Sequence, residues 1–182
     1  MRETLKYLAP KPILSLARET RDALQRASEW PAATFHPLRR ESIARLAALK
    51  DIHKGKRCFI IGNGPSLKNT DLSKLENEFT FGMNRVYLAF EDWGFPTSFL
   101  VSVNSLVIEQ CAEDFLKLQI PTFFSWRSRN YFLQSPNYPI TQSPNLAISQ
   151  SPNLHFLHTT YTGPKFATNA TGRLWEGATV TY

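Results

Sequence analysis

The sequence predicts an α/β fold built on an open, mostly parallel sheet, and two observations support this prediction. First, short β-like runs alternate with helical patterns from Lys56 onward, which is typical of strands that pair in parallel through crossover helices. Second, the segment SLVIEQCAEDFLKL carries apolar residues at the spacing of an amphipathic helix. Right-handed crossovers follow from this arrangement, and the predicted domain is Rossmann-like.

The strands are recognised by their apolar and aromatic residues. They are predicted at RCFII (57–61), FTFGM (79–83), TSFLVSV (97–103), PTFFSW (121–126) and NLHFLHT (153–159). Three consecutive eight-residue copies, QSPNYPIT, QSPNLAIS and QSPNLHFL, begin at residue 134, and the third copy overlaps the start of the last predicted strand. Each copy contains proline, and so short an array cannot bury a solenoid core. Residues 134–153 are therefore interpreted as a repeat-expanded surface loop.

The basic charge is concentrated at the N-terminus. Up to Arg57 the chain holds 13 Lys and Arg against 6 Asp and Glu, whereas the net charge of the whole chain is +6. We therefore divide the chain into a basic helical N-terminal segment, residues 1–52, and an α/β domain, residues 53–182, which is expected to be incomplete at its C-terminus. In the first segment, Pro31 and Pro37 are expected to end a long helix, and a short helix is predicted over 41–50.

Composition restricts the partners. A solvated helical face is the simplest interpretation of the basic segment, with peripheral contact to an anionic membrane as the alternative. Specific nucleic-acid binding is not expected, because the basic residues lack interleaved aromatics and a recognisable binding module. No apolar run approaches the ~20 residues that span a bilayer, and no export signal is recognised, so a cytoplasmic location is expected. The oligomeric state is not specified.

The motif GNGPSL, residues 62–67, directly follows the first predicted strand. Glycines at this position allow a sharp turn or a close approach of the backbone to a ligand. The turn would expose N–H groups at the carboxyl edge of the sheet, where they favour phosphate oxygens. Leu67 replaces the third glycine of a dinucleotide fingerprint, and Lys68 does not follow a glycine as in a P-loop.

An asparagine follows each of the first three predicted strands: Asn63, Asn84 and Asn104. In a parallel sheet these strand ends lie along one edge, so the carboxamides could converge on one cleft. Each carboxamide offers two donors and an acceptor without charge, which suits base edges and sugar hydroxyls beside a phosphate. The alternative is structural, because asparagine is common at turns where the backbone is left-handed.

Two segments, FIIGNGPSLKNTDLSKLENEFTFGMNRVYLAF and PTSFLVSVNSLVIEQ, resemble the 6-hydroxymethylpterin pyrophosphokinase MptE-like family, which includes the motility accessory factors. They are also similar to bacterial sialyltransferases that use CMP-sialic acid. The resemblance implies that the chain is a C-terminally truncated member. It implies nucleotide-binding roles for Gly62, Asn63, Gly64, Ser66, Asn84 and Asn104, and for Gly177 and Thr179 in EGATVTY.

The resemblance therefore implies a nucleotide-dependent transferase, which most simply takes a sugar from a nucleotide-activated, CMP-type donor. One alternative is ATP-dependent diphosphoryl transfer to a pterin-like alcohol, which would require Mg²⁺. Another is an inactive nucleotide-binding fragment. No tightly bound cofactor and no resident metal are expected, since His155 and His158 would point to opposite faces of a strand. The sequence assigns no catalytic residue.

Overall fold

The structure is a computed structural model that describes residues 11–133, 152–160 and 168–175. Most of the predicted repeat loop, together with Gly177 and Thr179, lies outside the described residues.

Two helices open the described chain. Helix α1 spans Lys11–Phe35 and helix α2 spans Pro37–Ala48. The expectation that Pro31 ends the first helix is wrong, because α1 continues through it for another turn. Ala33 in that turn is buried against the core, and this packing offsets the backbone hydrogen bond that proline cannot donate. Pro37 does mark the end of α1, since the preceding His36 is extended and caps α2.

Five strands form one all-parallel sheet, which confirms the predicted fold class. The strands are β1 (Cys58–Ile61), β2 (Phe79–Met83), β3 (Phe99–Ser102), β4 (Thr122–Ser125) and β5 (Leu154–Leu157). They lie side by side in the order in which they occur along the chain. Two further strands, β6 (Thr159–Thr160) and β7 (Leu174–Trp175), form a separate parallel pair. The described sheet therefore has no point at which the strand order reverses.

The connections between the strands include three helices, α3 (Phe90–Trp93), α4 (Ser105–Lys117) and α5 (Arg129–Leu133). Short 3₁₀ turns lie at Pro65–Asn69 and Ser73–Leu75 after β1, at Val86–Ala89 after β2 and at Trp126–Ser128 after β4. Helix α4 matches the predicted amphipathic segment to within one residue.

The main core lies between one face of the sheet and the helices. Phe115 of α4 contacts Phe124 of β4 edge to face, with ring centroids 5.1 Å apart, and both side chains are fully buried. The other face of the sheet carries a row of rings. Phe81 stacks on Phe99 at 4.8 Å, and Phe123 lies 4.9 Å from His155. The alternation of side chains along each strand thus separates the helix-facing core from a largely buried row of rings on the other face of the sheet.

Helix α2 covers the outer edge of β5. Ser42 Oγ accepts a hydrogen bond from the Phe156 N–H at 3.0 Å, and Arg45 donates to the carbonyls of Pro152 and Leu154. These bonds satisfy backbone groups that an open edge strand would leave unpaired. Since the later residue of α2 contacts the earlier part of β5, the helix runs antiparallel to the strand. The N-terminal end of α2 therefore lies at the carboxyl edge of the sheet.

Candidate functional site

The sheet places three asparagines after three neighbouring strands. Strands β1, β2 and β3 are adjacent and parallel, so the segments that carry Asn63, Asn84 and Asn104 all leave the sheet at its carboxyl edge. In the register, Ile61 pairs with Gly82, and Asn63 and Asn84 each follow two residues later. The topology agrees with the expectation of a shared edge, but the three side chains have different surroundings.

Asn63 is exposed on the loop after β1, and its carboxamide makes no hydrogen bond to another described residue. It lines a cleft at the carboxyl edge of the sheet. Its donors and its acceptor are therefore available to a ligand.

The glycines on either side of Asn63 are not required by the fold. Neither Gly62 nor Gly64 has a positive φ. Among the described residues, a Cβ added to Gly62 would meet no atom within 4 Å, and one added to Gly64 would meet only Ser66 Oγ at 3.9 Å. Gly82 differs, since a Cβ there would lie 2.5 Å from Val86 Cγ1. Packing explains Gly82, whereas the glycines of the motif leave their backbone open to an approaching ligand.

Asn84 has a structural role. Its φ is +51°, in the left-handed region that asparagine tolerates better than most residues. Its N–H donates to the Val101 carbonyl at 2.9 Å, and its Oδ1 accepts from the Ser102 hydroxyl at 3.2 Å. The side-chain oxygen is thus engaged within the sheet edge, and the amide nitrogen is the part of Asn84 that remains to meet a ligand.

Asn104 is the N-cap of α4. Its Oδ1 accepts a hydrogen bond from the Leu106 N–H at 3.1 Å, which satisfies one of the donors that the first turn of a helix leaves unpaired. The side-chain oxygens of Asn84 and Asn104 thus have structural roles as hydrogen-bond acceptors. Asn63 has no such role among the described residues.

A cleft of about 950 Å³ opens between the segments that follow β1 and β2. We call it the β1–β2 cleft. It is lined by Asn63, Gly64, Leu67, Lys68, Thr70, Asp71, Leu72, Ser73, Arg85, Val86, Leu88, Ala89, Asp92 and Trp93. Gly62, Ser66, Asn84 and Asn104 are not among the lining residues. The structure therefore brings Asn63 and Gly64 to the cleft and leaves the other predicted positions beside it on the sheet edge.

The charged residues of the β1–β2 cleft are two cations, Lys68 and Arg85, and two carboxylates, Asp71 and Asp92. The Asp71 carboxylate accepts bonds from both the N–H and the hydroxyl of Ser73, at 3.0 and 2.7 Å, and these bonds hold the pKa of Asp71 below its usual range. Lys68, Asp71 and Asp92 were not predicted as binding residues from the sequence. Their only sequence signal is their position in the loops that follow β1 and β2.

Metal-ligand clusters are absent from the described ranges, where no group of three or more His, Cys, Asp or Glu side chains could hold an ion. His155 is buried, its Nδ1 lies 2.9 Å from the Asn153 carbonyl, and burial lowers its pKa. Arg127 forms an ion pair with Glu29 of α1 at 3.1 Å. These side chains therefore have structural partners away from the β1–β2 cleft.

Comparisons with known proteins give no match. No family model matches the chain, and no curated protein and no solved structure is significantly similar to it. Within the described part of the chain, every helix is too short or too polar to cross a membrane.

Proposed function

We propose that the chain binds a nucleotide in the β1–β2 cleft and acts as a nucleotide-dependent transferase with a nucleotide-activated, CMP-type sugar as its donor. The observation that carries this proposal is the GNG turn. Asn63, whose carboxamide is unpaired among the described residues, lines the cleft between two glycines that neither the backbone conformation nor the described packing requires. A backbone free of side chains beside an uncharged donor and acceptor suits a nucleotide phosphate and its ribose or base.

The cations of the cleft support the same ligand. Lys68 and Arg85 both line the cleft, one on the segment after β1 and one on the segment after β2. A phosphate between them would receive charge-assisted hydrogen bonds, which are stronger than bonds between neutral groups. In a transfer reaction, the same groups would stabilise the negative charge that develops on the departing nucleotide phosphate. The volume of about 950 Å³ is at the upper end of ligand pockets and accommodates a nucleotide with an attached sugar.

The test is calorimetric titration and thermal melting of the chain with CMP, CTP, ATP and GTP, with and without Mg²⁺. We expect cytidine nucleotides to bind and to raise Tm without a metal requirement. Ligand at about 100 times its Kd adds about 2.7 kcal/mol of stability, which is a measurable shift.

The Asn63→Ala variant connects this binding to the proposed residue. It should weaken cytidine nucleotide binding by about 1–3 kcal/mol, because a ligand group would lose its hydrogen-bond partner. Asn69→Ala is the matched control, since Asn69 is exposed on the same loop but does not line the β1–β2 cleft. Equal affinities in folded Asn63→Ala and wild-type protein would remove the basis for the proposal.

A second candidate is favoured by the two carboxylates. Asp71 and Asp92 line the same cleft. Proteins that bind Mg²⁺ together with a nucleoside triphosphate typically hold the metal through one or two carboxylates. The pyrophosphokinase alternative predicts binding of ATP only with Mg²⁺ and loss of that binding in Asp71→Asn. Metal-independent binding of CMP would instead favour the sugar transferase.

A further inference from the structure

A second cavity lies near β5, the last strand in the order of the sheet, whereas the β1–β2 cleft lies at the other end of that order. It has a volume of about 360 Å³ and lies beside β5, the N-terminal part of β7 and helix α2. Its polar lining residues are Arg39, Lys50, His158, Thr168 and Asn169, and no Asp or Glu contributes to its described walls. We call it the Arg39 cavity. It shares no residue with the β1–β2 cleft.

Arg39 is the unusual residue of this cavity. Its side chain is 1% exposed, although it lies on a helix near the end of the sheet. One guanidinium nitrogen, Nη2, donates to the Ala170 carbonyl at 3.3 Å. The other two, Nε and Nη1, are buried and have no hydrogen-bond partner among the described residues. Burial lowers the pKa of Arg39, and no carboxylate of the described residues pairs with it.

Such an arrangement is unfavourable unless an anion completes it. A guanidinium carries five N–H donors in a rigid fork, and it remains charged in proteins. Burying such a charge without a counter-ion strongly destabilises the folded protein. A neighbouring ammonium, Lys50, adds positive charge to the wall of the cavity instead of neutralising it.

We propose that the Arg39 cavity is a binding site for a compact oxyanion, a phosphate or carboxylate group that the Arg39 guanidinium binds through its Nε and Nη1 donors. The fork of Arg39 matches two oxygens of such a group. Lys50 supplies a second charge, and Thr168 and Asn169 line the same cavity. The volume exceeds that of an inorganic ion and is at the lower end of ligand pockets, so the anionic group of a monosaccharide-sized molecule also fits.

The test is thermal melting of the whole chain in sodium phosphate, ribose 5-phosphate or sodium acetate, each compared with sodium chloride at the same ionic strength. At least one of these anions should raise Tm by about 5 °C at saturating concentration. A shift with inorganic phosphate identifies a free ion as sufficient. A shift with ribose 5-phosphate alone identifies the phosphate of a larger ligand, and a shift with acetate alone identifies a carboxylate. No shift with any anion overturns the proposal.

Two variants locate the effect. Arg39→Met fills a similar volume without the charge, so it should fold without the anion and lose the anion-dependent shift. Arg40→Met is the matched control, because Arg40 is the exposed neighbour on the same helix, and it should keep the shift. An anion-dependent shift that persists in Arg39→Met would overturn the proposal. If Arg39→Met does not fold, Arg39→Lys should bind the anion at least tenfold more weakly, and unchanged affinity in that variant would also overturn it.

Discussion

At the scale of single residues, identical residue types have different physical reasons to be present. Asn84 accommodates a left-handed turn, Asn104 caps a helix, and Asn63 has its carboxamide unpaired among the described residues. The sequence could place all three at strand ends, because that follows from the strand pattern. It could not distinguish them, because a cap or a left-handed turn depends on backbone angles that the residue type does not determine.

The glycines lead to a paired prediction. Gly64→Ala should change the free energy of unfolding by less than about 1 kcal/mol, because Gly64 has an ordinary backbone conformation and the added methyl group would meet only Ser66 Oγ, at 3.9 Å. It should nevertheless weaken nucleotide binding about tenfold or more, since the methyl group would occupy the path of the ligand. Gly82→Ala should instead destabilise the fold by about 1–3 kcal/mol, as its Cβ would overlap Val86.

Chemical denaturation and titration with CMP on both variants measure these effects. If Gly64→Ala were to bind nucleotide as tightly as the wild type, the motif would be a turn without a role in binding.

At the scale of elements, the strands were predictable and the cleft was not. Each strand is a short apolar run between turn residues, and β2 matches its predicted bounds at both ends. The β1–β2 cleft is formed by loops with 3₁₀ turns, whose paths depend on packing against each other. Asp71, Asp92 and Lys68 therefore carried no signal beyond their loop positions. The sequence also could not show that α1 continues past Pro31, because the packing of Ala33 against the core is a tertiary contact.

The edge of β5 provides a prediction at this scale. Ser42→Ala should destabilise the protein by about 1–3 kcal/mol, because it leaves the buried N–H of Phe156 without its acceptor. Urea denaturation measures the loss. Ala44→Ser, at an exposed position of the same helix, is the control for helix propensity and should change stability by less than about 0.5 kcal/mol. Equal stability of Ser42→Ala and wild-type protein would show that this hydrogen bond between α2 and the edge of β5 does not stabilise the fold.

At the scale of the whole molecule, buried histidines link stability to pH. Burial lowers the pKa of His155 below its usual value of 6.5, so the unfolded chain binds a proton more readily than the native protein does. Stability should therefore be greatest above about pH 6.5 and decrease as the pH falls through the window between the unfolded and the native pKa. His36, whose pKa burial also lowers, contributes in the same direction.

Thermal melts between pH 5 and 8 test this linkage. In His155→Gln, the decrease in Tm on acidification should be smaller than in the wild type, because one of the two groups no longer titrates. A decrease of the same size in both proteins would assign the pH dependence to other groups.

The order of the strands has a consequence for how the chain assembles. Because β1 to β5 lie side by side in chain order, each strand can join the growing sheet next to the one that emerged just before it during synthesis. Helix α2 is the exception, since its contact with β5 joins residues 114 positions apart, and it must wait for the last strand of the sheet to be made. Helix α2 thus emerges from the ribosome early, whereas the β5 edge that it covers emerges late.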